Sequence, residues 1–195
     1  MNFLQKSIRP SLISRTYQII VLLGLLANAS LASAKASDRD WTKAPSTENW
    51  KAFFQLTDQE KAQEWKAVEK SGLTFEGLSW EWKLAWVRSC TYSSTQDCSK
   101  IVQLGLFDKA LVVRAEAATR LGQRFAGSGH KPAIRILRTA YGIQQNTRSK
   151  EPMFVQYRIL QALNQIGGDG KGVGKQLSMN SDGLHKYWTR IASAK

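Results

Sequence analysis

The chain is poor in the side chains on which most enzymatic and metal chemistry rests: it has two histidines, His130 and His185, and two cysteines, Cys90 and Cys98. The histidines are far apart in sequence, and neither stands with a recognisable nucleophile. A metal site needs more ligands than two cysteines supply. No stretch alternates polar and apolar residues over the length of a strand, which speaks against a sheet. Acidic residues are also scarce, 15 against 28 lysines and arginines, leaving a formal net charge of +13.

The one long apolar run lies near the start. Residues 1–34 join a basic stretch with Lys6, Arg9 and Arg15 to the run Ile19 to Ala27 and to small residues ending Ala32-Ser33-Ala34. These are the three parts of a cleavable export signal, with cleavage expected after Ala34 and with Ala29 and Ala36 as neighbouring sites. The alternative is an uncleaved anchor, since Tyr17 to Ala34 carries no charge and is just long enough for a hydrocarbon layer of about 30 Å. No cysteine sits near the cleavage point to take a lipid. The remainder is long enough for one domain with a core and too short for two. Outside the cytoplasm, Cys90 and Cys98 are most simply a disulfide across a Ser/Thr-rich loop, the alternative being a free or redox-active pair.

Charge divides unevenly along the exported part. Residues 35–99 hold 9 basic and 10 acidic side chains, whereas residues 100–195 hold 16 and 5. Such an asymmetry points to an acidic partner for the second half, against the plainer alternative of a solvated face.

Residues 35–46 read as a polar leader and 47–96 as a Trp-rich helical cap. Thr57-Asp58-Gln59-Glu60 is a capping box that opens a helix to about Lys70, with Ala62, Trp65 and Val68 on one side and Ser71-Gly72 at its end. Ser79 is placed to cap a helix from Trp80 to about Cys90, apolar on so many sides that it must be buried. Six of the seven tryptophans fall between Trp41 and Trp86. At helical spacing they read as packed core, with glycan or head-group binding as the alternative. Beyond Cys98 the periodicity predicts helices from Asp97 to about Leu104, Lys109 to Phe125, Pro132 to Tyr141 and Met153 to Ile166. Breaks fall at Gly127-Ser128-Gly129, in the loop Gly142 to Glu151, and at Gly167-Gly168.

Two of these helices carry one pattern: Val113-Arg114-x-x-Ala117-Ala118-x-x-Leu121-Gly122 and Val155-Gln156-x-x-Ile159-Leu160-x-Ala162-Leu163-x-x-Ile166-Gly167. Both resemble the second helix of a HEAT-like repeat, and their offset of 42 residues falls within the roughly 40–47 of that class. The resemblance covers about residues 97–168. Trp80 to Arg88 and Leu184 to Ile191 look like the same helix in a degenerate earlier repeat and a shortened last one. The resemblance implies an all-α chain, a short right-handed α-solenoid of helix pairs over 97–195, and a role in interaction rather than catalysis.

Asp169-Gly170-Lys171-Gly172-Val173-Gly174-Lys175 invites a phosphate-loop reading but lacks the first glycine, and Gln176 stands where Ser or Thr should be, so an inter-helix turn is expected. Nor does it supply the acids of a calcium loop. No cofactor site is read in the chain. Glu76 or Glu81 beside the tryptophans are the best acids for a cell-wall-cleaving enzyme, but such chemistry usually needs two placed carboxyl groups. The basic side chains have clearer geometry. Lys131, Arg135 and Arg138 fall at i, i+4 and i+7 of one helix, and Arg120 with Arg124 and Lys186 with Arg190 are i, i+4 pairs. The expectation is therefore an exported, non-catalytic scaffold or binding module whose basic face holds an acidic protein. Acidic lipid head groups and cell-wall polymer are the alternatives, and nucleic acid is set aside because an exported protein meets little of it.

Overall fold

Capping and periodicity dictate where helices start and stop, and the computed structural model, which describes residues 39–90, 96–147 and 152–194, follows them closely. Among the described residues the chain is all-α as expected, with ten helices and one 3-10 turn and no strand. Residues 1–34, where the export signal was read, lie outside them. The helices are α1 (Thr47–Gln55), α2 (Asp58–Lys70), α3 (Trp80–Ser89), α4 (Gln96–Leu106), α5 (Leu111–Arg124), α6 (Lys131–Tyr141), α7 (Gln144–Thr147), α8 (Pro152–Ile166), α9 (Asp169–Ser178) and α10 (Asp182–Ser193), with the 3-10 turn at Phe75–Gly77 between α2 and α3.

The capping box opens α2 as read. Thr57 Oγ1 accepts from the Glu60 N–H, and Glu60 answers through the Thr57 N–H and hydroxyl. The Thr57 N–H and hydroxyl hold the Glu60 carboxylate below its ordinary pKa. Trp65 and Val68 face inward, while Ala62, expected beside them, is exposed. Ser79 occupies the N-cap position of α3, but its hydroxyl makes no capping bond.

The cap's core is aromatic. Trp41, Phe53, Trp65 and Trp82 lie with ring centroids 4.7–6.3 Å apart, and Trp65 stacks on Trp86 at 4.8 Å. Within the polar leader Trp41 alone packs on this core, its carbonyl accepting the Ser79 N–H at 3.0 Å, while Thr42, Lys43, Ala44 and Ser46 are exposed. Trp80 alone among the cap tryptophans is turned out, 49% exposed.

From α4 onward the apolar stripes meet as read. Val113, Ala117, Ala118 and Leu121 of α5 and Val155, Ile159, Ala162, Leu163 and Ile166 of α8 are all buried, and α5 on α8 is the most extensive helix contact. Closeness there depends on Gly122, where a Cβ would lie 2.6 Å from the Ala162 Cα. Gly127 and Gly129, both at positive φ, bring their N–H groups to the Gln165 and Ile166 carbonyls at 2.8 and 2.9 Å. The break after α5 thus satisfies the C-terminal end of α8, whose last carbonyls would otherwise lack partners. Neighbouring helices form two rows. One runs α3, α5, α8, α10 and the other α4, α6, α9, while α4 with α5, α6 with α8 and α9 with α10 join across them.

Two further expectations are corrected. The segment from Asp169 to Lys175 is not a turn but most of α9, because Gly170 and Gly174 allow close packing: a Cβ at Gly170 would lie 2.6 Å from the Leu163 carbonyl oxygen, and at Gly174 2.4 Å from the Trp188 ring. The loop after Gly142 contains the short helix α7, which presents the buried Asn146.

Candidate basic interface

The corner between α4 and α5 is built on Asp108 and Arg114. Asp108 Oδ1 accepts the Ala110 N–H at 2.8 Å, and Oδ2 pairs with Lys83 Nζ of α3 at 2.8 Å. Arg114, 2% exposed, donates to the Asp108 and Lys109 carbonyls, to Asn146 Oδ1 at 2.7 Å and to the Gln145 carbonyl at 3.2 Å. Asn146 in turn donates to the Ala140 carbonyl at 2.7 Å. Burial lowers the Arg114 pKa and the Asp108 carboxylate opposes that. All of these partners are protein groups, so this cluster fixes the fold rather than waiting for a ligand.

Helix α6 grows out of that frame with one apolar and one cationic side. Its N-cap is His130, whose Nδ1 accepts the Ala133 N–H at 3.3 Å while the ring stacks on Phe125 at 3.9 Å. His130 is thus half-buried and employed at a helix start. Ala133, Ile134, Leu137, Ala140 and Tyr141 are buried. Tyr141 donates its hydroxyl to the Leu177 carbonyl of α9 at 3.1 Å, and burial pushes its pKa up to about 12. The outward side carries Lys131, Arg135 and Arg138, all exposed, and the helix has no acidic residue.

The seven cations read from the sequence do not share one row. Lys131, Arg135 and Arg138 are on α6, whereas Arg120 and Arg124 belong to α5 and Lys186 and Arg190 to α10, neither of which is a close neighbour of α6. Arg120 is half-buried and held to Glu116 at 3.0 Å, and the same carboxylate lies 3.6 Å from Arg88. Arg124 is half-buried, and Arg190 lies 5.2 Å from the centre of the Tyr187 ring. Three other cations flank α6 instead: Lys100 on α4, and Lys171 with Lys175 on α9, each exposed. Among the described residues, none of the six side chains on the row α4, α6, α9 takes part in an ion pair or side-chain hydrogen bond. Lys171 and Lys175 stand at the i, i+4 spacing that marks a helix face. Reading their glycine-rich segment as a turn concealed it.

The remaining candidates are placed as follows. Cys90 and Cys98 are joined in a disulfide with Cα atoms 5.5 Å apart, linking the end of α3 to α4. The bond suits a non-reducing compartment. Glu76 is exposed on the 3-10 turn, and Glu81 is half-buried in the first turn of α3. Among the described residues, no three His, Cys, Asp or Glu side chains are grouped to hold a metal, and no helix is long and apolar enough to cross a membrane. Comparison of the chain with protein-family profiles, with curated proteins and with solved structures gives no match.

Proposed function

We propose that the chain is an exported, non-catalytic binding module of the HEAT-like α-solenoid kind, which holds an acidic protein against the row α4, α6, α9. The observation that carries the reading is the set of exposed cations Lys100, Lys131, Arg135, Arg138, Lys171 and Lys175, with no partners among the described residues. Charges paired within a surface are already satisfied. Unpaired ones of one sign raise the local potential and draw an oppositely charged partner. The helix order supports the solenoid part, since the two patterned helices α5 and α8 are direct neighbours and the pairs join across two rows, as stacked repeats do. The apolar run at 19–27 and the disulfide support export. Arg120 and Arg124 are set aside from the contact face, Arg120 because Glu116 already occupies it.

The test is crosslinking in a native envelope extract at low and at high salt, with the native chain and with Arg135→Glu combined with Arg138→Glu. A defined acidic protein is expected on the native chain at low salt, lost at high salt and lost from the variant. Capture that is equal for both chains overturns the reading. Recovery of lipid or wall fragments alone moves the assignment to a membrane-surface binder or to a wall-active enzyme, for which Glu76→Gln and Glu81→Gln are then the informative changes.

A further inference from the structure

Next to α6, an open groove of about 650 Å³ is lined by α4 and the corner after it, by Phe75 and Glu76 of the 3-10 turn with Lys83 of α3, and by Ile136 alone from α6. Its α4 wall is a single helix face, Lys100, Gln103 and Leu104 at i, i+3 and i+4, continued by Phe107 just past the helix end; Ile136 of α6 stands among the other lining residues. Phe107 is a large aromatic left 41% exposed at the edge of this concavity. The charges deep in the groove are already satisfied, for Lys83 is paired with Asp108 at 2.8 Å and lies 5.6 Å from the centre of the Phe75 ring. Lys100 and Lys109 line the groove as exposed cations whose side chains have no partner among the described residues, and Glu76 is the one exposed acid lining it.

We infer that this groove seats one large apolar side chain of an acidic peptide segment, with flanking carboxylates on Lys100 and Lys109. The inference rests on the proposed binding of an acidic protein and adds where that protein is anchored and by what. An apolar slot beside unpaired cations fits a segment that carries both an apolar residue and negative charge. A lipid surface is flat and would leave the concavity empty. The apolar anchor supplies the selectivity that charge alone lacks, since a purely electrostatic surface accepts any polyanion.

The probes are two labelled oligoglutamate peptides, identical except that one has a central tryptophan and the other a serine. The tryptophan peptide is expected to bind the native chain about tenfold tighter, as partial burial of an aromatic side chain would give. Phe107→Ala is expected to remove that difference and leave the serine peptide unaffected. Lys100→Glu combined with Lys109→Glu is expected to weaken both. All three changes fall on exposed side chains, and unchanged far-UV circular dichroism serves as the control for folding. Equal binding of the two peptides by the native chain, or a difference that survives Phe107→Ala, overturns the groove assignment. The basic row still stands in that case if Arg135→Glu with Arg138→Glu weakens both peptides. If neither peptide binds the native chain, the groove and the row fail together.

Discussion

At the scale of single residues, the side chain that decides most is Arg114, which the sequence presents only as one position of a repeated helix pattern. Its function is set by partners at Asn146 and Gln145, more than thirty positions away, and no local spacing announces contacts of that range. Truncating it leaves the Asn146 side-chain oxygen and three backbone carbonyls short of a donor, at a site where water has little access. Arg114→Ala is therefore expected to destabilise the fold by about 3 kcal/mol, and Arg114→Lys to recover only part of this, because one ammonium cannot span carbonyls on both sides. Urea unfolding followed by circular dichroism checks both, and a loss of less than about 1 kcal/mol for the alanine variant would show that the cluster is dispensable. Residues whose contacts are local were legible: Thr57 with Glu60, and Val113, Ala117 and Leu121 along one stripe. Those with distant partners were not, as with Lys83 and its Asp108.

At the scale of elements, the sequence goes wrong where propensity and packing pull against each other. Three glycines within five residues read as a turn because each costs a helix about 1 kcal/mol relative to alanine. Yet α9 forms, because two of the three lie where a side chain has no room. The third, Gly172, has nothing within 4 Å of where a Cβ would stand. The two kinds of position are expected to respond with opposite signs. Gly172→Ala should stabilise the protein by about 1 kcal/mol through helix propensity alone. Gly174→Ala gains the same propensity but drives a methyl group into the Trp188 ring, and should destabilise by about 1–3 kcal/mol. Thermal unfolding of the two variants side by side tests this, and stabilisation by both would mean that α10 does not press on α9 as described. The same competition hid α1, whose sequence Thr47 to Gln55 is short and carries few stripe positions. Its Phe53 is fully buried, against tryptophans that come from other elements, so its reason to be helical lies outside itself.

For the whole molecule, the open issue is whether the Trp-rich cap and the helices after Cys98 behave as one body. The sequence divides them at 96, where the Ser/Thr-rich loop and the change in charge coincide. Yet α3 packs on both α4 and α5, its Lys83 reaches Asp108, and the Cys90–Cys98 bond closes the corner. If the cap depended on the disulfide alone, reduction would free it. If α3 is instead an integral member of its row, reduction removes only the constraint on the unfolded chain. The second outcome is expected. Breaking the bond should cost about 2–3 kcal/mol, or roughly 5–10 °C in Tm, with the transition still single. Tryptophan fluorescence reports mainly on the cap, since six of the seven tryptophans belong to it, whereas far-UV circular dichroism reports on every helix. Coincident melting by both probes in reducing buffer, and in Cys90→Ser with Cys98→Ser, is what one cooperative unit requires. Fluorescence that melts ahead of the circular dichroism would separate the cap from the helices that carry the basic row.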